Sequence, residues 1–62
     1  MKQVIINLAL KIEATMPTES EAIKKLGTRI ILVDTIVELR IGGIIDGEQF
    51  NEAANEINNI YP

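Results

Sequence analysis

The sequence predicts a small α+β domain of the order strand, helix, helix. Three observations carry that prediction. Residues 3–14 alternate apolar and polar side chains, residues 19–41 repeat apolar side chains at helical spacing, and residues 47–60 do so again after a capping aspartate. The central stretch Ile30 to Ile41 organises the rest, because it is apolar in two directions. At about 100° per residue, Ile30, Val33, Val37 and Ile41 fall on one stripe, joined upstream by Ile23 and Leu26. Leu32, Ile36 and Leu39 form a second stripe roughly opposite. A helix with two apolar faces has to be covered on both sides.

In the first element, Val4, Ile6, Leu8, Leu10, Ile12 and Ala14 point one way along an extended chain. Gln3, Ile5, Asn7, Ala9, Lys11 and Glu13 point the other. That is the period of a half-buried strand. Met16-Pro17-Thr18 ends it, and Thr18 with Glu21 has the spacing of a capping box for a helix over about 19–41. A rival assignment stays open for Ile30–Ile41. It is rich in β-branched residues and lies between glycines, which also describes a buried strand. Gly42-Gly43 closes the helix. Asp46 caps the last one, whose apolar stripe is Phe50, Ala53, Ala54, Ile57, Ile60 and Tyr61.

A chain of 62 residues is one domain at most, and a domain this short is marginal alone. With no Cys and no His, disulfides and the common zinc sites are excluded, although carboxylates alone could hold Ca²⁺ or Mg²⁺. No cofactor is indicated. Oligomerisation is the remaining means of stabilisation. A single strand has no partner within its own chain, so the expected solution is antiparallel pairing with the same strand of a second copy. The expected interface is Val4, Ile6, Leu8 and Leu10 of the strand with Leu32, Ile36 and Leu39 of the helix. Outward Ile5 and the acidic series Glu48, Glu52 and Glu56 are candidate contacts for a further protein partner.

No secretory signal is visible, and the apolar run from Ile30 to Ile45 is broken by charge and too short to span a bilayer. The expectation is a cytoplasmic protein with no membrane contact. The formal net charge is −3, and from Asp46 onward the only charged residues are acids. A strongly basic nucleic-acid footprint is absent. Without His or Cys, and with no evident base for Ser20, no nucleophile–base pair can be assembled from common parts, so no enzyme is expected.

The stretch Leu39-Arg40-Ile41-Gly42-Gly43-Ile44-Ile45-Asp46-Gly47-Glu48-Gln49-Phe50 resembles the short C-terminal helical hairpin called the SHOCT domain, over residues from about 33 to 60. That resemblance implies a packing module associated with oligomerisation. The strand–helix–helix order also resembles ribbon-helix-helix DNA-binding dimers, whose paired strands enter the major groove. On that alternative Gln3, Asn7 and Lys11 would face base edges, with Lys2 near phosphate. The longer strand and helix and the acidic net charge weigh against it. The function expected is therefore non-catalytic: a small homo-oligomeric regulator that binds another protein. Its brevity suits a phage or mobile-element accessory factor acting on a host protein.

Overall fold

The computed structural model describes residues 1–62 and contains three helices and no strand. They are α1 (Lys2–Ala14), α2 (Glu21–Ile41) and α3 (Gly47–Ile60). Each helix packs against both others around one shared core. The domain measures 35 × 20 × 16 Å, its long axis matching the roughly 31 Å expected of a 21-residue helix such as α2.

The α+β class expected from the sequence is thus overturned at its first element. Residues 3–14 are helix, and the strand pairing between subunits that rested on them falls with it. The reason lies in the density of apolar residues. Met1, Ile5, Leu8, Ala9 and Ile12 recur at helical spacing as well as Val4, Ile6, Leu8 and Leu10 do at strand spacing. The helical set is the one turned inward: Ile5 and Ala9 are buried, with Met1, Leu8 and Ile12 packed against the core. Val4 and Leu10 are exposed. A helix also satisfies its own backbone, beginning with Ile5 N–H donating to Met1 C=O at 3.0 Å, whereas a lone strand would leave a ladder unpaired. Leu8, Ala9, Leu10 and Lys11 are good helix formers with no Gly or Pro among them.

The reversal into α2 consumes two more residues than the sequence pattern suggested. Glu19 N–H donates to Met16 C=O at 3.3 Å within the turn. The N-cap is therefore Ser20, whose Oγ accepts from Ile23 N–H at 3.3 Å, not Thr18. Glu21 then lies in the first turn, where the helix dipole favours an acid, and pairs with Lys24 at 3.3 Å. Residues 30–41 are helical throughout, which resolves the strand alternative for that stretch.

The α2–α3 hairpin has defined chemistry at both ends. Gly43 is left-handed (φ +74°), and Ile44 N–H reaches Leu39 C=O at 2.9 Å while Gly43 N–H reaches Arg40 C=O at 3.2 Å. Those two bonds form a Schellman closure. Asp46 caps α3 through a reciprocal pair: its Oδ1 accepts from Gln49 N–H at 2.8 Å, and Gln49 Oε1 accepts from Asp46 N–H at 3.0 Å. Ile45 and Phe50 flank this cap from the core side, in the positions of a hydrophobic staple.

The core holds Ile5, Ala9, Leu32, Ile36, Ile45, Ala53, Ile57 and Tyr61. Two polar features sit at its margin. The Tyr61 hydroxyl donates to the Glu13 carboxylate, tying the end of α3 to the end of α1. Burial, and then the hydrogen bond and charge of Glu13, push the phenol from its ordinary 10.0 up to about 12. The Thr28 hydroxyl, fully buried, lies near enough to Tyr61 to oppose that rise slightly, yet it makes no hydrogen bond of good geometry.

Both features are testable. A raised phenol pKa means the neutral form is favoured by folding, so this contribution is complete below pH about 10 and is lost as pH rises through about 12. Tyr61 is the sole tyrosine and there is no tryptophan, so tyrosinate absorbance reports it alone. The midpoint is expected near 12 in the folded protein and near 10 in denaturant; a folded-state midpoint near 10 would remove the Glu13 tie. Thr28→Val deletes an unpartnered buried hydroxyl without changing volume. It is expected to stabilise by about 1 kcal/mol, or about 4–8 °C in Tm. A drop in Tm would show that the hydroxyl is bonded after all.

Candidate functional site

The side chains of α2 divide into two faces. Thr28, Leu32 and Ile36 are buried, and Leu39 packs beside them against α1 and α3. On the opposite side Ile23 (53% exposed), Leu26 (60%), Ile30 (53%), Val33 (39%) and Ile41 (76%) stand in solvent, with Val37 half-buried between them. The stripe runs from one end of the helix to the other, about 27 Å at 1.5 Å per residue. α1 and α3 pack against the other side, with only the end of the chain, Ile60–Pro62, reaching round beside Leu26. Isolated aliphatic side chains on a surface need no explanation, whereas a continuous row of this length asks for one.

The residues of the expected interface are divided between core and surface by this fold. Leu32 and Ile36 are enclosed within a single chain and have no surface left for a partner, and Leu39 is largely covered. Of the residues assigned to strand pairing, Ile6 and Leu8 are half-buried while Val4 and Leu10 are exposed on α1. Ile5, expected outward as a partner contact, is instead a fully buried core residue. The acidic series is not a uniform strip. Glu48 is exposed, Glu52 is paired with the Met1 amino group at 3.7 Å, and Glu56 is buried at 8% exposure.

The charged residues beside the bare stripe are arranged by sign. Arg29 and Arg40 lie on one edge, and Asp34 and Glu38 on the other. All four are exposed, and the chain's two ion pairs, Met1–Glu52 and Glu21–Lys24, involve none of them. Next to the basic edge an open cleft of about 450 Å³ is lined by Lys25, Leu26, Arg29, Ile60, Tyr61 and Pro62. Elsewhere no three acidic side chains gather around a common point, and no helix is long and apolar enough to cross a membrane.

No protein-family model matches the chain, and neither the curated proteins nor the solved structures provide a match. The surface is therefore read from its own geometry. The sequence contained the signal for it, since the Ile23–Ile41 stripe is visible at helical spacing. What it did not reveal was which of the two stripes α1 would leave uncovered.

The two faces should respond differently to the same change. Ile36→Asp puts a charge into a site 2% exposed and is expected to abolish the helical circular dichroism at 25 °C. Ile30→Asp is expected to leave the helical spectrum in place. If Ile30→Asp unfolds the chain and Ile36→Asp does not, the inner and outer faces have been assigned the wrong way round.

Proposed function

We propose that the protein is a non-catalytic regulator that works by binding protein surfaces through the outer face of α2. The observation that carries this reading is the row of Ile23, Leu26, Ile30, Val33 and Ile41, left in solvent on a helix whose other face is already packed. Burying a row of aliphatic side chains supplies a driving force for association, and the charged edges supply its orientation. The resemblance of residues 33–60 to a packing module associated with oligomerisation supports the same reading. So does the lack of His and Cys, which withholds the usual nucleophile–base pairs. A role as a phage or mobile-element accessory factor, acting in the cytoplasm on a host protein, fits a domain of this size that offers one surface. The ribbon-helix-helix alternative required paired strands to enter a DNA groove, and residues 3–14 form a helix instead.

The test is comparative affinity capture with three immobilised baits: wild type, Ile30→Asp on the outer face of α2, and Glu48→Lys on α3. A protein retained by wild type and by Glu48→Lys but lost with Ile30→Asp is the expected result. Retention by Ile30→Asp with loss on Glu48→Lys would move the binding surface to α3 and overturn the assignment.

A further inference from the structure

We propose that the outer face of α2 pairs with the same face of a second copy of the chain, the two α2 helices lying parallel and in register. The proposal rests on the reading of that face as a binding surface and names its occupant. Three features of α2 point to it.

The first is the spacing of the stripe. Ile23, Leu26, Ile30, Val33 and Val37 follow one another at intervals of three, four, three and four residues, which is the seam of a two-helix coiled coil. The second is the shape of the side chains along that seam. The positions seven apart, Ile23, Ile30 and Val37, are all β-branched, and the intervening series is Leu26 and Val33. Among parallel coiled coils, β-branched residues in the first series with leucine in the second favour two strands, and Ile23, Leu26 and Ile30 have that composition.

The third is charge. At about 100° per residue, Arg29 falls roughly 80° to one side of the stripe's midline and Asp34 roughly 60° to the other, the two positions that flank the seam, whose apolar spacing ends at Val37 before Arg40. A two-fold axis parallel to the helices places the basic edge of one copy against the acidic edge of its partner. A two-fold axis perpendicular to the helices would set like edges together, arginine against arginine and carboxylate against carboxylate. Only the parallel arrangement is complementary. Within it Arg29 faces the acidic position five residues further along the partner helix, which is Asp34, and symmetry makes that pair twice. Asp34 and Glu38 are four apart on one helix and repel each other slightly within a single chain. Neither has an ion-pair partner there. A second copy supplies one to Asp34.

α1 and α3 pack on the inner face of α2, and only the end of the chain, Ile60–Pro62, comes up beside the seam, at the cleft next to Leu26 and Arg29. The seam covers four of the exposed aliphatic side chains of this helix, Ile23, Leu26, Ile30 and Val33. The dimer would therefore be a central pair of helices with the two hairpins on its outer sides.

The chain has no cysteine, so single cysteines introduced along the seam give a clean geometric readout. Ile23→Cys and Val37→Cys are each expected to form a disulfide-linked dimer with themselves on mild oxidation, because facing seam positions come within disulfide reach. In an antiparallel pair neither would do so, while a mixture of Ile23→Cys and Ile41→Cys would; that result overturns the proposal. Arg29→Glu and Asp34→Lys should each weaken association about tenfold in sedimentation equilibrium, and the double variant should recover it. Failure of the double variant to recover also counts against the parallel arrangement. A wild-type mass of 6.9 kDa at every concentration up to the millimolar range would eliminate the second copy as occupant, and leave the face to a different protein. A dimer unaffected by Ile30→Asp would lie elsewhere on the chain, and would remove both the self-pairing and the reading of this face as the binding surface.

Discussion

Everything in this structure depends on α2 carrying two opposite apolar faces, between charged edges, while the other two helices cover only one of them. Leu32 and Ile36 fix the inner face, and α1 and α3 are just sufficient to cover it. The consequence shows in what lies inside and outside. The core has eight apolar residues, two of them alanine, whereas nine large aliphatic side chains are exposed. A domain that leaves more large aliphatics in water than it buries has not solved the usual problem of a small fold within one chain. The fully buried Ala53 and nearly buried Ala9 show how the inner face is closed. Small side chains there let the backbones approach, so two short helices cover one long one, and nothing remains for its far side.

Local capping explains how so small a core holds three helices in place. Ser20 starts α2, the Gly43 turn closes it, and the Asp46–Gln49 pair starts α3 four residues after the first glycine of that turn. The hairpin is therefore specified by neighbours in sequence, at little cost in loop closure. α1 has no comparable device at its start, where Met1 offers no side-chain cap. It is held by packing, through Ile5 and Ala9, at its start by the Met1–Glu52 ion pair, and at its far end by the Tyr61–Glu13 bond, which spans 48 positions of sequence. That bond joins the last turn of the chain to the last turn of α1. It is the side-chain hydrogen bond that ties the hairpin to the first helix.

These differences also explain which parts of the fold were legible in the sequence. α3 was readable because Asp46 gives its start and its polar face is uninterrupted: Asn51, Glu52, Asn55, Asn58 and Asn59 leave one period that fits. α2 was readable from its length, which exceeds any ordinary strand. α1 was not, because Val4, Ile5, Ile6, Leu8, Ala9, Leu10 and Ile12 are too densely apolar for periodicity to choose between two and 3.6. The deciding factor was tertiary. A strand there had no partner in the chain, whereas a helix could lay Ile5 and Ala9 onto α2. The expected contacts rested on that same strand. Ile5 was placed outward because a strand alternates, and Leu32 and Ile36 were given to a second copy because a strand could not cover them as α1 does.

The outer stripe was visible in the sequence, and its composition bears on how it would bind. Ile23, Ile30, Val33, Val37 and Ile41 are β-branched, with χ1 largely fixed in a helix. The helix that carries them is pinned by its buried inner face and capped at both ends. Association through such a face orders few side chains and no backbone, so less of the gain from burial is lost to entropy. The β-branched content that made residues 30–41 resemble a strand is thus, on a packed helix, what makes the exposed row rigid. A leucine- or methionine-rich row of the same area would adapt to more shapes and hold each of them less firmly. Stiff side chains in a straight row, with charge of one sign along each edge, restrict what can lie against them to a surface of matching period and opposite edges. An identical helix running in the same direction meets both requirements.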